Sequence, residues 1–262
     1  MNVLAIIPTY NEIDNIERLA KAVTSIPDIH VLFIDDNSPD GTGIVADRLS
    51  SENYAVRVIH RESKMGLGTA YLHGFQYALE RNYEYIIQMD CDFSHDPADI
   101  PRFLDEMKKN CLDMVIGSRY VHGGKIEGWP FIRHLISKCG NLYAQFVLGS
   151  SIKDWTSGFK IYKSTALKTI ATHKNNIYAK GYAFQAEITY HAIKNGLKVR
   201  EIPIKFKERA DGESKMGKRI IVEAALIVLK IRWEGCKVRG IMNIIMKPFL
   251  RCIVALSSSR KT

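Results

Sequence analysis

Residues 3–36 read VLAIIPTYNEIDNIERLAKAVTSIPDIHVLFIDD. Val3–Ile7 is an apolar run closed by Pro8, and His30–Ile34 is another; both read as buried strands. From about Glu12 to Thr24 the pattern is helical, with Asn11 placed to cap it. Two strands joined by a helix of that length lie parallel in one sheet.

The alternation continues outward from this unit. A helix over Gly41–Leu49 leads to a strand at Ala55–Ile59, and a helix over Gly66–Arg81 leads to a strand at Tyr85–Met89. Pro97 opens a helix to Lys109, and Met114–Ile116 is a fifth strand. Further on, Lys160–Tyr162 reads as a short strand and Tyr182–Lys194 as a helix. The expected fold is α/β, with a mostly parallel central sheet and helices on both faces. In such sheets a ligand sits beyond the carboxyl ends of the strands, so the residues that follow each strand are the ones to read.

Composition agrees with a folded body. The chain has 262 residues, 46% of them apolar, which is enough for a sizeable core. The five cysteines are scattered and none has CxxC spacing, which argues against a disulfide framework or a structural zinc site and for a reducing compartment. The N-terminus lacks a basic start, and no stretch reaches the ~18 uncharged apolar residues of a spanning helix. The net charge of +9 is uneven: residues 207–262 carry 13 Lys and Arg against 5 Asp and Glu. A near-neutral body therefore bears a basic tail suited to an anionic partner such as a membrane surface or a lipid phosphate, more than to nucleic acid.

Polar clusters follow the strands. Asp90-Cys91-Asp92 is the sharpest: two carboxylates two residues apart at a strand end can share one hard cation, Mg²⁺ or Mn²⁺. The same residues also fit a polar turn that caps the next helix through Asp96-Pro97. Asp35-Asp36 can accept hydrogen bonds from a base and ribose, whereas Asp40-Gly41-Thr42 is explained by a turn and helix start. Gly66-Leu-Gly68 opens a helix, but Tyr71 breaks the dinucleotide fingerprint. Arg119 and Arg133 offer planar forks for phosphate, or are solvated surface arginines. Asp154 reads as a turn residue, and Glu187 as a carboxylate on a helix face. Arg209-x-x-Gly-x-Ser-Lys215 sets two cations on a glycine-containing loop.

In this order the clusters resemble the inverting glycosyltransferases of family 2, which share the GT-A fold, and among them the dolichyl- or polyprenyl-phosphate mannose synthases. The matching stretches are Pro8–Glu12, Asp35–Thr42, Gly66–Tyr71, Met89–His95, Gly117–Tyr120, Thr156–Phe159 and Arg209–Lys215, which span nearly all of residues 1–217. Cys91 departs from the pattern, where alanine is usual. The resemblance implies that Pro8, Tyr10, Glu12, Asp35, Asp36, Gly66 and Asp90 bind the sugar nucleotide. It implies that Asp90, Asp92 and Ser94 hold Mg²⁺ or Mn²⁺, and that Arg119, Arg133, Ser137, Arg209 and Lys215 take the acceptor phosphate. Asp90, Asp92, Arg119, Arg133 and Lys215 form the implied catalytic set. The implied reaction is transfer of mannose from GDP-mannose to a polyprenyl or dolichyl phosphate, with inversion. UDP-glucose is the alternative donor. An aspartyl-phosphate phosphohydrolase, with Asp90 as nucleophile, is the rival of another class.

Residues 1–217 are expected to form the catalytic domain and 218–262 a basic amphipathic tail. In the tail, Arg219, Glu223, Lys230 and Glu234 fall on one stripe of a helix, and Arg239, Asn243, Lys247 and Arg251 recur at steps of four before and after a kink at Pro248. The expectation is peripheral attachment at the cytoplasmic face of a membrane, through these helices or through a small membrane subunit.

Overall fold

The computed structural model describes residues 2–171, 181, 183–208 and 218–235, the side chains of 218–224 and 234–235 excepted. Strands β1 (Val3–Thr9), β2 (Ile29–Asp35), β3 (Val56–His60) and β4 (Tyr85–Gln88) run parallel in the order β3-β2-β1-β4. Helices α1 (Ile13–Thr24), α2 (Thr42–Glu52) and α3 (Leu67–Glu80) make the crossovers. After β4, a 3₁₀ turn at Pro97–Asp99 leads into α4 (Ile100–Lys109) and then β5 (Met114–Ser118).

Here the sheet departs from a simple parallel series. β6 (Lys125–Glu127) leaves it, and α5 (Phe131–Leu148) follows. β7 (Lys160–Lys163) then inserts between β4 and β5, antiparallel to both. After α6 (Ser164–Ala171) and α7 (Phe184–Lys194), β8 (Val199–Pro203) pairs parallel with β5 at the edge. β9 (Lys205–Lys207) pairs with β6 in a separate two-stranded sheet, and α8 (Lys218–Gly235) comes last among the described elements.

The continuous apolar strands are explained by two covered faces. Along β1, Leu4 and Ile6 pack with α3, α7 and α8, while Val3, Ala5 and Ile7 pack with α1, α2 and α4. Close packing is needed on the first face, because a Cβ on Gly74 of α3 would lie 2.6 Å from Ile6 Cγ2. α8 joins that core through Val228 and Ile231, and Tyr143 of α5 donates its hydroxyl to the Ala225 carbonyl. One side of the first tail helix therefore packs on the body, while Leu229 stays exposed.

Two boundary expectations are corrected. β1 does not stop at Pro8 but runs to Thr9. The Ile6 carbonyl faces β4, where it accepts from Met89 N, and Pro8 faces the same side just past the last β4 pair, so its missing N–H breaks no ladder bond. Asn11 does not cap α1: it is left-handed, with φ 58°, and Glu12 is the N-cap. Its backbone N–H instead meets Ser38 Oγ at 3.1 Å, tying the loop after β1 to the loop after β2.

Candidate active site

The carboxyl ends of β1 and β2 form one wall. Asp35 is buried at the end of β2 and accepts from Thr9 Oγ1 at 3.1 Å and from Ser38 Oγ at 2.6 Å. Pro8, near the end of β1, and Tyr10 and Glu12, on the loop that follows, are half-buried. Asp36 is engaged with the protein itself: it pairs with buried Arg61, which also donates to Thr69 Oγ1 at 2.7 Å and to the Gly66 carbonyl at 3.2 Å. Burial raises the Asp36 pKa, and Arg61 opposes the rise. The pair thus braces the Gly66 turn at the start of α3. Above it, Lys64 Nζ stands 3.9 Å from the centroid of the Tyr10 ring.

The second wall is the end of β4. Ser94 donates its backbone N–H and its hydroxyl to Asp92 Oδ1, at 3.1 and 2.6 Å. Asp90 donates its backbone N–H to His95 Nδ1 at 3.2 Å, which fixes the histidine proton on Nε2. Burial pushes the His95 pKa down and keeps the ring neutral, stacked on Phe159 at 5.2 Å. The Tyr71 hydroxyl, from α3, the helix that Gly66 precedes, reaches the Met89 carbonyl at 3.2 Å and Asp90 Oδ1 at 3.4 Å. Gly158 leaves room for Asp90: a Cβ there would lie 3.1 Å from Asp90 Oδ2. Asp96 caps the following 3₁₀ turn by accepting from Ala98 N. The turn and the carboxylate cluster therefore coexist.

The third wall is cationic. Arg119 follows β5 and is buried rather than solvated. Its Nε donates to Asp154 Oδ2 at 2.8 Å, and its Nη2 donates to Asp154 Oδ1 and Thr156 Oγ1, both at 2.7 Å. Asp154 has no exposure, so the expectation of an ordinary turn residue is corrected. Against the cost of burial, Arg119 holds the Asp154 carboxyl below its usual range. The Arg119 guanidinium also packs within 5.2 Å of the Phe206 ring centre and 5.5 Å of that of Trp129. Arg133, near the start of α5, lies 4.3 Å from the Trp129 ring centre and pairs with Glu208. Ser137, one turn on, accepts from the Tyr120 hydroxyl at 2.7 Å. Among the described residues the buried Trp129 indole N–H finds no acceptor. Arg209 and Lys215 lie outside the described residues.

Residues 4–171 match the sequence pattern described as "Glycosyl transferase family 2". The chain belongs to this family. Two relatives are each 43% identical to the glycosyltransferase over 244 residues: an undecaprenyl-phosphate mannosyltransferase of Micrococcus luteus and a polyprenol monophosphomannose synthase of Mycolicibacterium smegmatis. The first covers 91% of this chain and 99% of its own; the second covers 92% and 91%. The fold recurs in glucosyl-3-phosphoglycerate synthase of Mycobacterium tuberculosis, solved with Mn²⁺ and UDP, at TM-score 0.63, 16% identity and coverage of 92% and 81%. It recurs in a mannosyltransferase of Pyrobaculum calidifontis, solved with GDP-mannose and Mn²⁺, at TM-score 0.55, 13% identity and coverage of 97% and 80%. The GT-A expectation is thereby met, and the phosphohydrolase reading falls.

Sequence reasoning missed how several further residues of the glycosyltransferase are placed. Arg61 was not singled out, although Asp36 depends on it. Lys160 sat unnoticed in a short strand and is fully buried. Glu187, expected on a helix face, is fully buried in α7. His60, at the end of β3, holds Asp47 at 2.9 Å and comes within 3.9 Å of Asp35.

Proposed function

We propose that this glycosyltransferase moves mannose from GDP-mannose to a polyprenyl phosphate of the dolichyl type, with inversion at the sugar. The observation that carries the reading is the nearness of Asp90 to Arg119, close enough for its charge to act on the guanidinium, with Arg133 packed beside Arg119 on the Trp129 ring. Carboxylates and guanidinium groups gathered this closely suit a reaction that brings together a diphosphate and a monophosphate. The names of the two 43%-identical relatives support mannose and polyprenyl phosphate.

Asp90 and Asp92 present hard oxygen donors that fit Mg²⁺ or Mn²⁺. Among the described residues no cluster of three or more His, Cys, Asp and Glu is assembled, so these donors suit an ion shared with a substrate diphosphate and water. Bound there, the ion offsets charge on the departing diphosphate. In this reading Ser94 steers the Asp92 carboxylate and His95 holds the Asp90 backbone. Asp35 takes the base or ribose, beside Pro8, Tyr10 and Glu12, and Asp36 acts through Arg61 on the Gly66 turn. Arg119, Arg133, Ser137 and the Trp129 N–H, unpartnered among the described residues, take the acceptor phosphate, and the same role is proposed for Arg209 and Lys215, which lie outside the described residues. The acceptor oxygen is already ionised at neutral pH, so the reading requires no general base.

The lipid acceptor asks for a membrane surface. No helix among the described residues is long and apolar enough to cross one. α5 offers an alternative: Phe131, Ile132, Leu135, Ile136, Leu142 and Phe146 are all exposed and share an arc of roughly 140° on the helix. Asn141, Ala144 and Leu148 occupy the opposite, buried side. The proposed placement is peripheral, at the cytoplasmic face, with α5 and the basic tail on the lipid.

The test is sugar transfer to a polyprenyl phosphate in detergent, with GDP-mannose and UDP-glucose offered separately, in Mg²⁺ or in EDTA. Mannolipid from GDP-mannose alone, lost in EDTA and in Asp92→Ala, is the expected result. Activity only with UDP-glucose would overturn the donor. Near-normal turnover by a folded Asp92→Ala protein would remove the metal role.

A further inference from the structure

Lys160 is a fully buried lysine for which the transfer reaction has no stated use. It opens β7, and its cross-strand partner in β4 is Gln88. Continuing that antiparallel register brings Gly158 opposite Asp90, in agreement with the 3.1 Å approach of a Gly158 Cβ to Asp90 Oδ2. Residues two apart on a strand share a face. Lys160 and Asp90 are therefore diagonal neighbours on one face, a relation that places Cβ atoms about 7–8 Å apart or less.

The ammonium is held by neutral groups. Lys160 Nζ donates to the Gln185 carbonyl at 2.9 Å and to Gln185 Oε1 at 2.7 Å. Gln185 Oε1 also accepts from Gln88 Nε2, and Gln88 Oε1 accepts from the Tyr162 hydroxyl at 2.8 Å. All four side chains are buried. Among the described residues the charge is answered only at longer range. Burial draws the Lys160 pKa down to about 7; Asp154 and Asp90 act to raise it, and Arg119 acts with burial.

We propose that Lys160 is a positioning residue whose buried positive charge tempers the Asp90–Asp92 pair, so that a divalent cation is held firmly only together with the nucleoside diphosphate. The inference rests on the reading of those aspartates as the ion's ligands. Its consequences have opposite signs. A cation beneath the pair weakens binding of the metal alone and strengthens binding of the diphosphate. Loss of a merely structural lysine would weaken both.

Mn²⁺ binding to the full-length protein, without nucleotide, is followed at pH 6.5 by the electron paramagnetic resonance signal of the free ion. Lys160→Met is expected to bind Mn²⁺ about five- to tenfold more tightly than wild type. The better-binding of GDP and UDP should bind it several-fold more weakly in the presence of Mg²⁺. Unchanged or weaker Mn²⁺ binding by folded Lys160→Met overturns the inference. Lys160→Gln keeps a donor near Gln185 without the charge, and it carries the same expectation if the methionine variant fails to fold. Asp92→Asn separates the two readings. If that variant leaves Mn²⁺ binding intact, the carboxylate reading fails and this inference with it. If it abolishes binding while the Lys160 variants bind no tighter, the lysine inference alone fails.

Discussion

Asp154 has no solvent exposure, and both of its oxygens face one guanidinium. Such a pair contributes little net stability when intact, but removal of one charge leaves the other buried without compensation. Asp154→Asn is therefore expected to cost about 3–5 kcal/mol in denaturant unfolding. It should also release Arg119 from its fixed orientation and lower transfer more than it weakens donor binding. A variant of wild-type stability would show that water or a neighbour takes over the pairing. This residue was not legible from the chain alone, because its partner lies 35 positions away and a lone Asp beside Trp155-Thr156-Ser157 looks like turn chemistry. Asp90 and Asp92 were legible, because both carboxylates sit in one short run at a strand end. Asp36 shows the middle case. Its doubling with Asp35 marked it as unusual, yet the sequence did not reveal that Arg61 consumes one of the two.

At the scale of elements, the crossover helices and parallel strands were readable because apolar runs and helical periodicity alternate cleanly over residues 3–116. α5 was harder. Nearly every apolar residue in Phe131–Leu148 looks alike in sequence, and only packing separates the buried side from the exposed one. Phe146 is 87% exposed and Phe131 76%, values that a helix packed on all sides would not show. The double substitution Ile132→Ser and Phe146→Ser is expected to leave the thermal midpoint nearly unchanged, since neither side chain is in the core. It should weaken co-sedimentation with anionic vesicles at least about tenfold, from the transfer energy of two large apolar side chains. Equal vesicle binding by variant and wild type would return this face to a protein partner.

At the scale of the whole molecule, buried titratable groups set how stability responds to pH. Lys160 titrates near 7 in the folded protein, against an ordinary 10.5. Between those values the unfolded chain holds the proton that the folded protein has released, so stability rises with pH across that window and is lost as pH falls toward 7. His95 acts in the same sense further down. Its folded pKa lies below 6.5, so its contribution is complete above that value and is lost as pH falls through the lower one. Denaturant midpoints measured from pH 5 to pH 9 should therefore climb, and Lys160→Met should flatten the upper part of the curve. A wild-type curve that falls between pH 7 and pH 9 would contradict this account.

The sheet order is where sequence reading ended. Local patterns show that strands exist, but nothing local shows that β7 lies between β4 and β5. That placement has a consequence for the chain as it is made. When residue 118 has just left the ribosome, β3, β2, β1 and β4 can already pair, yet β4 presents an open edge and β5 has no neighbour. The missing strand arrives only after a further forty or so residues have been added, on the order of two to eight seconds at ordinary elongation rates. With it come Gly158, which makes room for Asp90, and Lys160 beneath it. The acidic end of β4 thus exists early, but its surroundings are completed by one of the later segments to emerge, so a nascent chain is protected from aggregation and equipped for catalysis by the same event.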